Sequence, residues 1–282
     1  MMQKRRFIQC DVFTSYPTKG NALAVIIDCD GLDDKALHNF ARWTNLAETT
    51  FLFPPKHPDA DYRVRILTPT REMPFAGHPT LGSCAAWLHS GGKPKTPGVV
   101  RQECAVGIVD IDISGNVPAF ISPPTNVAPM APEEFAAITT QLNIDPSHVV
   151  RYAVLDNGPV WHAIELQTAE QVLKVDSSLV AWPGEKYVGL IGQHGQDHEC
   201  DFEVRMLSAT SNMNEDPITG SLNSALAHWR LSNNELQKPV LVAQGTRVDC
   251  IGRVAVTPDT NVPGKVSIGG NTIIMIEGTV TL

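Results

Sequence analysis

The strongest constraint on the fold is that one short pattern occurs twice. Val64-Arg65-Ile66-Leu67-Thr68-Pro69-Thr70 is matched 140 residues later by Val204-Arg205-Met206-Leu207-Ser208-Ala209-Thr210. His78-Pro79-Thr80-Leu81-Gly82-Ser83 is matched 138 residues later by Asp216-Pro217-Ile218-Thr219-Gly220-Ser221. Each copy reads as a strand, a loop and a helix opened by proline, whose missing N–H is unpaired in a first turn anyway. A duplicated unit of this kind predicts two similar halves, with two helix starts facing each other across a cleft. The 282 residues, at roughly 150 per domain, agree with two domains. The Pro- and Asn-rich stretch Ser122-Pro123-Pro124-Thr125-Asn126 is the expected junction. It divides the chain into an N-terminal half, 1–122, and a C-terminal half, 123–265, with the last strands near 266–282 returning to the first.

Periodicity fills in the rest. Strands are expected at 7–13, 22–27, 48–53, 62–67, 106–113 and 119–121, with helices at 33–43 and 79–89. In the second half a helix at 132–142 precedes strands at 149–155 and 161–166 and a short helix at 169–175. A strand at 202–207, a helix ending near 229–230, and strands at 240–244, 253–256 and 272–277 complete the reading. The class is α/β (α+β). A content of 43% hydrophobic and 18% charged residues supplies a core and excludes a disordered chain or coiled coil. Lys plus Arg is 22 against 30 Asp plus Glu, a net charge of −8 with no basic block. Such a chain gains no long-range attraction to nucleic acid or anionic membranes, so neither is an expected partner. The aliphatic run 22–27 is too short to span a bilayer, and Asp11 interrupts the apolar stretch that an export signal needs. Six separated cysteines with no Cys-x-x-Cys read as reduced thiols, which points to the cytoplasm.

Three features carry chemistry. With proline taken as the first helical residue, His78 and Asp216 become the N-caps of equivalent helices. Two different titratable groups at one repeated position are hard to explain by capping alone. The backbone N–H groups of Gly77, Gly220 and Ser221 lie at those helix starts, where aligned dipoles favour an anion such as a substrate carboxylate. Glu48 opens the apolar strand Glu48-Thr49-Thr50-Phe51-Leu52-Phe53. It reads either as a solvated strand end or, if the strand lines a cleft, as a carboxyl group able to exchange a proton at working pH. Racemisation by two thiols needs a cysteine at each helix start, and Cys84 lies a turn and a half in, with Leu222 as its counterpart at offset 138. His194, His198 and Cys200 have metal-ligand chemistry at short spacing but no obvious fourth ligand, so they read as a polar loop and no metal is expected. Dinucleotide and phosphate-loop fingerprints are missing.

Asn45-Leu46-Ala47-Glu48-Thr49-Thr50-Phe51, Phe75-Ala76-Gly77-His78-Pro79-Thr80 and Glu215-Asp216-Pro217-Ile218-Thr219-Gly220-Ser221 together resemble the PhzF-like (phenazine biosynthesis-like) isomerase family. Val12-Phe13, Gly20-Asn21-Ala22-Leu23-Ala24-Val25 and Ile276-Glu277-Gly278 extend the likeness over nearly the whole chain. The resemblance implies the diaminopimelate epimerase-like fold: two similar halves, each a curled β-sheet around a central helix. It also implies a cofactor-independent proton shift on a small carboxylate substrate, in a homodimer. By position, Glu48 matches the family's proton-shuttling glutamate, and His78, Asp216 and Ser221 match its site histidine, aspartate and serine. Ala22 stands where proline is common, and the segment Gln244-Gly245 to Arg253 departs from the family's glycine-arginine pattern. An epimerase or racemase activity, or a non-catalytic member that binds a small acid or a protein, stays open as an alternative.

Overall fold

The computed structural model describes residues 3–182, 184, 186–209, 214–259 and 262–282; Thr210 of the repeated pattern and the leading Met1-Met2 lie outside the described residues. The chain divides into two units, Met1–Ile121 with Gly269–Leu282, and Ser122–Ile268.

In the first unit, hydrogen-bonded neighbours follow the order Thr272–Thr281, Lys4–Val12, Asn21–Ile27, Glu48–Phe53, Tyr62–Leu67, Val99–Cys104, Gly107–Asp112 and Ala119–Ile121. Two of these pairs are parallel, Asn21–Ile27 with Glu48–Phe53 and Tyr62–Leu67 with Val99–Cys104. Parallel neighbours need a crossover, and a helix supplies each one: α1 (Asp34–Thr44) and α2 (Gly77–His89). α1 is amphipathic. Asp33 caps it by accepting from the Ala36 N–H at 2.8 Å, and Asn45 ends it in the left-handed region. Its Leu37, Phe40 and Ala41 pack on Ile26, Phe51 and Leu67. α2 has no exposed face over its first two turns, where Gly77 through Cys84 are all buried, the polar His78, Thr80 and Ser83 among them. A helix start buried on every side belongs in an interior. α2 packs on strands from both ends of the order, so the sheet curls around it. The approach is close: a Cβ on Gly82 would stand 2.5 Å from Leu23 Cδ2 and 2.9 Å from Val12 Cγ2.

The second unit repeats the path. Its order is Asn126–Ala128, Val149–Asp156, Val160–Leu166, Tyr187–Gln193, Phe202–Ser208, Val240–Gln244 and Gly252–Pro258, again with two parallel pairs. After α3 (Pro132–Gln141), the crossovers are α4 (Ala169–Lys174) and α5 (Gly220–Ser232). α4 contributes Val172 to a cluster that includes Ile164, Val188, Leu190 and Leu207, while α5 is the buried helix. The expected α/β class of two similar halves, each a curled sheet with a central helix, is the architecture found. The strands Val99–Cys104, Asn126–Ala128 and Tyr187–Gln193 were not anticipated, nor were the two-residue strands Glu72–Met73 and Glu215–Asp216.

The repeat is offset differently from its sequence match. In the first copy Leu67 pairs with Glu72 and Ile66 with Met73; in the second Leu207 pairs with Glu215 and Met206 with Asp216. Met73-Pro74-Phe75-Ala76-Gly77-His78 therefore corresponds to Asp216-Pro217-Ile218-Thr219-Gly220-Ser221, an offset of 143, because the loop after Leu207 is three residues longer than that after Leu67. His78 and Ser221 are each the second residue of a 13-residue helix. The N-cap expectation for His78 and Asp216 is thus corrected: the caps are Ala76 and Thr219, and the structural counterpart of Asp216 is Met73. Proline misled the reading. Pro79 sits inside the first turn of α2, whereas Pro217 precedes α5 by three residues.

Candidate active site

Glu48 is placed by strand alternation. Residues two apart share a face, so Glu48 points the same way as Thr50. Ser83 of α2 donates to Thr50 Oγ1 at 2.9 Å, which identifies that face as the one against the buried helix. Glu48 is therefore no solvated strand end. Its Oε2 lies 3.5 Å from His78 Nε2, with the two side chains 19% and 6% exposed.

His78 is a neutral base. Burial pushes its imidazolium down to about 3, against an opposing hydrogen bond to the Ala22 carbonyl. Nε2 has no hydrogen-bond partner among the described residues, so Nδ1 is the nitrogen that donates to Ala22. A neutral ring with its proton on Nδ1 presents a lone pair at Nε2, toward Glu48. Ala22, the departure from the family pattern, contributes through its carbonyl, which a proline would also supply.

Asp216, Gly220 and Ser221 come together in the second unit, at the start of α5. Arg205 on the neighbouring strand is fully buried and grips Glu215 with two bonds, Nε to Oε1 at 3.0 Å and Nη2 to Oε2 at 2.6 Å, fixing the residue before Asp216. The same arrangement joins Arg65 to Glu72 in the first unit. The Thr219 hydroxyl donates to Asp216 Oδ2, and so does not cap α5. A threonine cap is ordinarily worth about 1 kcal/mol. The Asn157 side-chain amide donates to the Ser221 carbonyl at 2.8 Å. Gln244, fully buried, meets Asp216, Thr219 and Asn223 at once. Gly245 follows it at φ 92, where a Cβ would stand 2.6 Å from the Pro217 carbonyl. Gln244 and Asn157 were not singled out from sequence. The available signals were a lone amide closing the apolar strand Val240-Leu241-Val242-Ala243, and an Asn-Gly turn.

Other candidates are placed elsewhere. Cys84 is buried and its thiol is pushed up to about 12, and at the corrected offset its counterpart is Ala227 rather than Leu222, so neither helix start holds a thiolate. His194 and His198 stack at 3.6 Å, and His194 Nε2 meets the buried Glu203 at 3.1 Å. Among the described residues no three His, Cys, Asp or Glu side chains are grouped to hold a metal ion, and no helix is long and apolar enough to cross a membrane. A cavity of about 400 Å³ opens at the far end of α2 from His78, beside Trp87 and Gly92. Its Arg6 is already engaged by Asp28 and the Ser90 carbonyl.

Comparison with known proteins converges on one group. The family model described as phenazine biosynthesis-like protein matches residues 10–278. Antisense-enhancing sequence 1 of Schizosaccharomyces pombe is 33% identical over 98% of this chain and 99% of its own length. Trans-2,3-dihydro-3-hydroxyanthranilate isomerase of Pseudomonas aeruginosa is 47% identical over 81 residues, 29% of each chain. Further relatives that match over most of this chain carry isomerase names. The crystal structure of a PhzF-family phenazine biosynthesis protein from Bacillus anthracis superposes with a TM-score of 0.84 at 20% identity, covering 100% of both chains.

Proposed function

The chain belongs to the phenazine biosynthesis-like family, which includes named isomerases, and from that membership we propose that it is a cofactor-independent isomerase that moves a proton between two carbons of a small unsaturated or hydroxy carboxylic acid. Glu48, as carboxylate, removes the proton from an acidic carbon and returns it to another. A positioned acid–base group of this kind contributes about 10²–10⁴-fold in rate. While the proton rests on Glu48, its O–H has an acceptor in the His78 Nε2 lone pair. The first-turn amides at Gly77, Gly220 and Ser221 stabilise the delocalised anion, as unpaired helix-start N–H groups do. Ser221 binds the substrate carboxylate, and Asp216 accepts from a polar hydrogen of the substrate.

The observation that supports this reading most is the pairing of a shielded carboxyl group with a neutral imidazole whose free nitrogen stands 3.5 Å away. The family resemblance further supports a homodimer acting on small carboxylates, and the six separated cysteines support a cytoplasmic location. Sedimentation of the purified chain is expected to give twice the chain mass, and a single chain mass would contradict the dimer. The reaction is tested in heavy water with a panel of unsaturated and hydroxy acids that includes trans-2,3-dihydro-3-hydroxyanthranilate, the acid in the name of the Pseudomonas aeruginosa relative. Solvent deuterium is expected at a carbon of at least one acid. Binding without exchange into any of them would support a non-catalytic acid-binding protein instead.

A further inference from the structure

The amide at position 244 has a determined orientation. The Thr219 backbone N–H can only donate, and it points at Gln244 Oε1 at 3.0 Å. The same oxygen accepts from Asn223 Nδ2 at 2.8 Å. Gln244 Nε2 is thereby turned the other way, donating to Thr219 Oγ1 at 3.0 Å and to the Asp216 carbonyl at 3.3 Å. Having accepted that proton, the Thr219 hydroxyl sends its own to Asp216 Oδ2. Every donor and acceptor in this chain is set by one backbone N–H. Thr219 occupies the N-cap position yet makes no side-chain cap bond, so its hydroxyl is diverted from helix capping to the Asp216 carboxylate. Gln244 is itself 0% exposed and cannot meet a substrate directly.

We propose that Gln244 is a positioning residue for the proton shift, holding Asp216 through the Thr219 hydroxyl as an oriented carboxylate acceptor. The inference rests on the function proposed above, in which Asp216 receives a polar hydrogen of the substrate. A misdirected relay would leave substrate binding largely intact while misaligning the bound acid for transfer.

The experiment compares Thr219→Val, Thr219→Ser, Gln244→Glu and the double variant T219V/Q244E in the full chain, with the acid from the heavy-water panel that exchanges fastest. Gln244→Glu keeps the shape of the side chain but replaces its donor nitrogen with an oxygen. T219V and Q244E are expected to lower kcat at least 10-fold with KM within about 3-fold of wild type, and T219S to stay within about 2-fold. The double variant is expected to be no slower than the worse single variant, because both break one chain of bonds. Additive losses, or wild-type kcat in T219V and Q244E, would overturn the relay. Glu48→Gln separates the two levels: T219V and Q244E at wild-type rates beside an inactive E48Q refute the relay alone, whereas an active E48Q refutes the proton-shuttle reading. A crystal structure of T219V supplies a test free of any substrate. Its Asp216 carboxylate is expected to leave the orientation it holds in wild type, and an unchanged carboxylate overturns the proposal.

Discussion

His78 and Glu203 show how burial alone sets the charge of a residue. The folded chain holds the His78 imidazolium down to about 3, well below the ordinary 6.5, so the unfolded chain binds an extra proton between those values. His78 therefore contributes stability above pH 6.5 that is lost as pH falls toward 3. Denaturant titrations are expected to show wild type losing several kcal/mol more than His78→Gln across this window. Equal losses would mean that the ring is charged in the folded state. Glu203 is the opposite case. Desolvation raises its carboxyl to about 7 despite a hydrogen bond from Thr246, so its contribution is present below pH 4.5 and lost as pH rises through 7. Glu203→Gln is expected to be more stable than wild type by a few kcal/mol at pH 8, with the gap closing near pH 4.5. Sequence could nominate Glu48 and His78 because a carboxylate heading an apolar strand and a histidine at a helix start are visible as local exceptions. The neutrality of His78 was not legible, since it depends on burial by distant strands, while the ring's tautomer depends on the Ala22 carbonyl.

At the scale of elements, the two helices of the first unit show what periodicity reports. α1 declares itself through Leu37, Phe40 and Ala41 on one face, and its expected bounds of 33–43 fall within a residue of those found. α2 and α5 are buried all round, so no stripe marked their starts and proline was taken as the signal instead. Tyr187–Gln193 escaped for a related reason. It is an unalternating apolar run broken by Gly189 and Gly192, and a Cβ on Gly189 would stand 2.5 Å from Leu222 Cδ1 on α5. Central burial makes α2 sensitive: Leu81→Ala, at a site with 0% exposure, is expected to cost about 2–5 kcal/mol in chemical denaturation. The ion pair before Asp216 gives a sharper test of mechanism. Arg205→Ala leaves the buried Glu215 carboxylate without its partner and is expected to cost about 3–5 kcal/mol. The pair R205M/E215L removes both charges and is expected to recover most of that loss. A double variant as unstable as R205A would show that the lost contacts to the Val172 and Val175 carbonyls dominate instead.

Across the whole molecule, duplication was the feature the sequence displayed best. Arg65 and Arg205, each gripping a glutamate on a two-residue strand, are the same structural device in both units, and the strands that carry the arginines match at an offset of 140. The following helices match at a different offset, which a sequence comparison anchored on His78-Pro79 and Asp216-Pro217 conceals. His78 and Ser221, not His78 and Asp216, are the paired positions. Asp216 then stands out as an acidic residue with no titratable counterpart, held by threonine and glutamine rather than by a helix cap. The central claim is that the Glu48 carboxyl carries the proton. Initial rates of solvent-deuterium incorporation, wild type against Glu48→Gln, test it most directly, with both chains shown to bind the same acid. The account predicts a rate loss of at least about 10²-fold in E48Q. An E48Q chain that incorporates deuterium at the wild-type rate would contradict it.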